Sequence, residues 1–153
     1  MLLPTLRTRH FFCFTGVKHR FLMCYKRRFL DNIEIMSYDP LSEVTDEPLL
    51  VSAQTVPQLL QLRESVKFTD LPGTDTAEEQ ARLSKIFNEM LDSLIAGVTI
   101  NQSKLWVMSQ FQPALEAVQV EDTEGREHFG SHIEQIMDIL NIESSDGLLS
   151  FYL

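Results

Sequence analysis

Three side chains that could bind a metal ion recur every four residues near the C-terminus: Glu124, His128 and His132. On a helix this spacing places them in one row, and carboxylates and imidazoles are both zinc ligands. The pattern lacks the base of the zinc-peptidase motif, because Phe129 stands where a glutamate would follow the first histidine. Histidines at the edge of an apolar stripe also cover cores. We weigh a metal-dependent hydrolase against boundary packing, and boundary packing is the preferred interpretation.

Two further segments carry groups that could bind or act on a ligand. Carboxylates at Asp122, Glu124 and Glu127, with Arg126 among them, could transfer protons, but in a first helical turn they also interact favourably with free amide groups. Ser145 and Asp146 lie in the sequence Ser-Ser-Asp-Gly, which is typical of a turn and lacks a nucleophile elbow. We keep all six as candidate binding residues, assign no catalytic residue and expect no cofactor.

The first two of the helices that must position these groups have recognisable boundaries. A helix is predicted over residues 55–68, capped by Thr55 and followed by a turn at 70–73. The next begins with the capping box of Thr76 and Glu79 and ends at Gly97.

Two more helices and a tail complete the predicted fold. A third helix should start near Asn101 or Ser103 and kink or restart before Pro113. A fourth should start at Asp122 or Thr123. The sequence therefore predicts an all-α fold, a compact bundle of about four helices, with the apolar tail 148–153 packed on the bundle.

Charge is distributed unevenly along the 153 residues. Seven Lys and Arg against two Asp and Glu give +5 before Met36, whereas six against twenty give −14 from there onward. We predict a basic extension over residues 1–35, disordered or non-native, and one acidic helical domain over 36–153. The extension fits no secretory signal, because basic residues interrupt every apolar run. Translation from Met36 is the preferred interpretation, and an organelle-targeting or membrane-surface segment is the alternative.

The C-terminal motifs resemble those of a known family. They are Asp122-Thr123-Glu124-x-Arg126-Glu127, then Ile136-Met137-x-Ile139-Leu140, then Glu143-Ser144-Ser145-Asp146-Gly147-Leu148-Leu149. Together they resemble a family of small helical bacterial proteins classed as a domain of unknown function. The resemblance implies a bacterial, all-helical domain and transfers no catalytic residue.

The acidic composition restricts the partners of the domain. An acidic domain with a net charge of −14 repels phosphate backbones, so we expect it to bind no nucleic acid. The sequence has no continuous apolar run long enough to span a membrane, and membrane binding would need the basic extension. We therefore expect a cytoplasmic, non-enzymatic interaction or immunity-type module that binds a basic surface of another protein. The metal-dependent hydrolase is the alternative.

Overall fold

Helices form nearly all of the regular structure in the described part of the chain. The computed structural model describes residues 38–69 and 76–153. Within them lie a 3-10 turn at Pro40–Glu43 and five helices, α1 (Thr55–Glu64), α2 (Ala77–Gly97), α3 (Lys104–Val118), α4 (Thr123–Ile139) and α5 (Leu148–Tyr152). In the described residues the β pairing consists of one isolated bridge between Pro48 and Ser103. The prediction of an all-α bundle is confirmed.

Two sequence predictions fall outside the described residues. They are the basic extension over residues 1–35 and the turn at residues 70–73. The residues from Tyr38 to Leu153 belong to one structural unit.

Side-chain caps set the starts of three helices at the residues that the sequence predicts. At α2, Thr76 Oγ1 accepts from the Glu79 amide at 3.2 Å while Glu79 Oε2 accepts from the Thr76 amide at 3.1 Å. Ser103 caps α3 by accepting from the Trp106 amide, and Asp122 caps α4 by accepting from the Gly125 amide at 2.7 Å. Each cap satisfies an amide that the helix itself cannot bond.

The prediction for α1 is confirmed for its start at Thr55 and wrong for its cap and its end. Gln54 occupies the N-cap without a side-chain hydrogen bond, and the Thr55 hydroxyl instead accepts from the Ser52 amide. The helix stops at Glu64, and the Lys67 ammonium folds back onto its end, donating to the carbonyls of Arg63 at 2.7 Å and Ser65 at 2.8 Å. The chain then turns through Phe68, whose φ is 56°.

Helix α3 continues through Pro113 without the restart that the sequence allows. Its buried residues before the proline include Val107, Met108 and Phe111, and those after it include Ala114, Leu115 and Val118. Both halves therefore pack into the same core. Core burial of the helix on each side of the ring offsets the hydrogen bond that a proline removes.

Aromatic side chains from three parts of the chain form the centre of the core. Phe68 stacks on Phe129 with ring centroids 5.9 Å apart, and Phe87 meets both edge-on. The C-terminal tail joins this core as predicted, because Leu148 and Tyr152 are buried and Leu149 and Leu153 pack against it in part.

Helix α2 contacts the first turn of α3 at one end and the chain just after α3 at the other. At one end Gly97 lies so close to the Trp106 ring that a β-carbon there would overlap it. At the other end Arg82 donates to both carboxylate oxygens of Glu121, at 2.8 and 2.6 Å. Between these two links the helices leave a groove of about 230 Å³, whose floor includes Met90 and Ala114.

Candidate functional site

Residues 44–49, here called the strap, lie across the start of α3. The backbone of Glu47 accepts from the Lys104 amide at 2.9 Å, and the Leu49 amide donates to Gln102 at 3.0 Å. Asp46 Oδ1 accepts from the Ser103 hydroxyl at 2.5 Å and from the Leu105 amide at 3.3 Å. The strap thus supplies hydrogen-bond acceptors at the N-terminus of α3, where helix amides have no partner of their own.

An ion pair joins the strap, α3 and the C-terminal turn. Asp146 Oδ2 accepts from Lys104 Nζ at 2.7 Å and from the Thr45 amide at 3.0 Å. Lys104 is only 4% exposed. The Lys104 ammonium and the Thr45 amide hold the pKa of Asp146 below its usual range. Asp146 is therefore a carboxylate held in position by groups on two other segments.

The turn that presents Asp146 follows from its sequence. Asp146 and Gly147 have φ values of 51° and 90°, a left-handed pair that Asp and Gly adopt readily. The Ser144 hydroxyl accepts from the Asp146 amide, and the Ser145 hydroxyl accepts from the Leu149 amide at the start of α5. Of the two candidate residues predicted in this turn, Asp146 reaches another part of the fold, whereas Ser145 bonds locally.

A polar cleft of about 380 Å³ opens beside this ion pair. Strap residues Glu47 and Leu49 form one side of it, and the chain after α4 forms the other. Its lining consists of Glu47, Leu49, Lys104, Asn141, Ile142, Glu143, Ser144 and Asp146.

Lys104 and the strap were not among the residues that the sequence predicts for a site. One signal was available, since Lys104 is a cation in the first turn of a helix, where the dipole disfavours positive charge. Such a residue needs an anionic partner elsewhere, and 42 positions separate it from Asp146.

The row of potential metal ligands on α4 serves packing at its inner end. Glu124 is exposed, whereas the His132 ring lies against Phe68 and Phe87, with centroids 4.4 and 5.6 Å away. His132 Nδ1 is 2.9 Å from the His128 carbonyl oxygen. Residues 38–69 and 76–153 contain no group of three His, Cys, Asp or Glu side chains arranged to hold a metal ion. The metal-dependent hydrolase stays a prediction that these contacts do not support.

The other candidates on α4 remain apart from Asp146. Asp122 caps the helix, and Arg126 donates to the Asp122 carbonyl at 3.4 Å and to the Thr123 hydroxyl at 3.5 Å. Glu127 is exposed. Among the described residues, the α4 candidates and Asp146 share no hydrogen-bond or ion-pair partner. The α4 candidates and Asp146 therefore do not form one site.

Helix α4 nevertheless presents a continuous acidic face, defined here as Glu124, Glu127, Glu134 and Asp138. All four side chains are exposed, and none pairs with a cation of the described residues. At about 100° per residue they fall within about 80° of the helix circumference and span about 21 Å.

No helix of the described chain combines the length and the apolar character that crossing a bilayer requires. No curated protein and no solved structure matches the chain significantly. The family model of a domain of unknown function, DUF4844, matches residues 50–153, which include all five helices, the C-terminal turn and most of the cleft lining. Because this match covers more than half of the chain, the protein belongs to the DUF4844 family.

Proposed function

We propose that this protein is a non-enzymatic interaction module of the immunity type, which binds a basic surface of another protein through the acidic face of α4. The proposal keeps the sequence expectation of a cytoplasmic protein. One observation carries it: the cations of the described residues are engaged within the domain, whereas the carboxylates of the acidic face are not.

The inventory of charges supports this proposal. The described residues contain six Lys and Arg side chains and eighteen Asp and Glu side chains, a net charge of −12. Four of the cations form ion pairs, which are Arg63–Asp92, Arg82–Glu121, Lys85–Glu89 and Lys104–Asp146. The other two, Lys67 and Arg126, donate to backbone carbonyls.

Unpaired carboxylates on a rigid helix suit recognition better than catalysis. Their summed field attracts a basic partner and raises its association rate, and it repels phosphate backbones. On the acidic face the side chains lie in water, where each pair with a partner cation contributes little alone. We therefore expect affinity to depend on several carboxylates together and to fall with salt.

The test compares two variants of equal net charge. One carries Glu127→Gln, Glu134→Gln and Asp138→Asn on the acidic face, and the control carries Glu43→Gln, Glu64→Gln and Glu78→Gln at exposed positions elsewhere. Each is used for affinity capture from the native lysate, with thermal melts to verify folding.

We expect a basic partner that the wild type and the control retain, that the acidic-face variant loses, and that elutes as salt rises. A partner bound equally by both variants, or one that resists elution at high salt, would contradict the proposal.

A further inference from the structure

Lys104 has more donors than the described chain satisfies. Its ammonium carries three N–H groups, and among the described residues Asp146 Oδ2 is the acceptor within hydrogen-bond distance. The residue is 4% exposed, so little of it reaches bulk water. N–H groups of a buried ammonium that lack an acceptor cost free energy. They therefore favour the binding of any acceptor that enters the adjoining cleft.

The rest of the cleft lining is rich in carboxylates with free oxygens. Glu47 and Glu143 are exposed and their side chains bond to no described residue, and Asp146 has a second oxygen, Oδ1, that accepts no described donor. Lys104 against three carboxylates gives the lining a charge of −2. A volume of about 380 Å³ lies within the range of small-molecule sites, about 300–1,000 Å³.

A ligand that accepts from the open Lys104 donors and also neutralises the carboxylates of the lining needs one acceptor group and more positive than negative charge. We propose that the cleft binds a basic amino acid, with its carboxylate on Lys104 Nζ and its two cationic groups facing the carboxylates of Glu47 and Glu143. The Ser144 hydroxyl, whose oxygen already accepts from the Asp146 amide, is free to donate to the same ligand carboxylate. A ligand of charge +1 then reduces the −2 of the lining.

Calorimetric titration of the full chain tests this site with defined ligands. Arginine and lysine are expected to bind. Putrescine, which lacks a carboxylate, should bind at least tenfold more weakly, and glutamate should show no binding. N-acetyl-arginine separates the free amino acid from a C-terminal arginine of a protein, because acetylation removes the α-ammonium. Free arginine is expected to bind more tightly.

Variants assign the binding to this cleft. Glu143→Gln removes one charge from an exposed side chain without a described contact, so the fold is retained and arginine should bind roughly tenfold more weakly. Glu64→Gln, at the exposed end of α1 and outside the cleft lining, is the matched control and should bind arginine as the wild type does. Lys104→Met should abolish binding, but the Glu143 comparison decides if that variant does not fold.

Three results would overturn the inference. They are no heat of binding with arginine or lysine at millimolar concentration, equal affinity for glutamate, and equal affinity in Glu143→Gln. These results leave the proposed partner of the acidic face untouched, since that proposal rests on Glu124, Glu127, Glu134 and Asp138.

Discussion

At the scale of single residues, His132 shows how a polar side chain can belong to a core. Its ring lies against Phe68 and Phe87, and the Lys67 ammonium lies over the Phe87 ring at 5.9 Å from the centroid. Burial lowers the pKa of His132, the hydrogen bond to the His128 carbonyl opposes that shift, and the charges of Lys67 and His128 lower it further. The neutral ring is therefore the form that fits the fold.

This environment predicts a pH-dependent stability. Because the folded pKa of His132 lies below its ordinary value of about 6.5, the unfolded chain binds more protons between those two values. The contribution of His132 is complete above pH 6.5 and declines as pH falls toward the folded pKa. Urea unfolding between pH 7.5 and 5 should show this decline, and His132→Gln should flatten it. An unchanged slope in the variant would contradict the assignment.

The carboxylates of Asp92 and Asp146 affect the stability of the fold in a separate, more acidic pH range. The pKa values of Asp92 and Asp146 are lowered chiefly by hydrogen bonds from Arg63 and Lys104, so their contributions are lost only as pH falls below the ordinary value near 3.8. The pH range of these two carboxylates does not overlap that of His132. Unfolding measurements down to pH 5 therefore do not include the contributions of Asp92 and Asp146.

At the scale of elements, variants of Asp122 and Glu124 test whether Asp122 has a helix-capping role. Asp122→Ala removes the acceptor of the Gly125 amide and should lower the free energy of unfolding by about 1 kcal/mol, whereas Asp122→Asn keeps an acceptor and should change it by a few tenths. Glu124→Ala should cost less than Asp122→Ala, because it removes a charge near the helix start but no described hydrogen bond. Urea midpoints of the three variants test this order, and a larger loss in Glu124→Ala would contradict it.

The elements that local chemistry specifies were predictable, and those that distant contacts specify were not. The capping residues Thr76, Ser103 and Asp122 accept from amides three residues away, so the sequence alone locates the starts of α2, α3 and α4. Helix α1 ends where the Lys67 side chain reaches back to it, and Phe68 is buried by contacts with Phe87 and Phe129. A helical pattern through Phe68 could not reveal either event.

At the scale of the whole molecule, the ion pair of Lys104 and Asp146 joins distant parts of the chain. Asp146→Ala would leave a buried ammonium without its anion and release the Thr45 amide, 101 positions away in sequence. We expect a loss of about 2–3 kcal/mol, because the Asp146 side chain is 22% exposed and water compensates in part. The double replacement of Lys104→Met with Asp146→Leu should recover most of this stability in urea unfolding. A double variant as unstable as Asp146→Ala would contradict a role for the unpaired charge.

Composition predicted the net charge of the domain but not the positions of its free charges. The excess of acidic residues is visible in the sequence, yet which of them remain unpaired depends on where Arg82 and Lys104 find Glu121 and Asp146. For the same reason Asp146 was a reasonable candidate, while the cleft around it could not be predicted. Three segments far apart in sequence form that cleft.

The contact between Trp106 and Gly97 provides an optical reporter of the fold. Trp106 is the single tryptophan of the chain, so the intrinsic emission excited at the red edge of protein absorption comes from one position. Its indole is partly buried where α2 ends and α3 begins, and its ring lies directly against Gly97. Separation of these helices would wet the indole and shift its emission toward longer wavelengths. Unlabelled protein can thus be followed by fluorescence at one helix junction, while circular dichroism follows the helices as a whole.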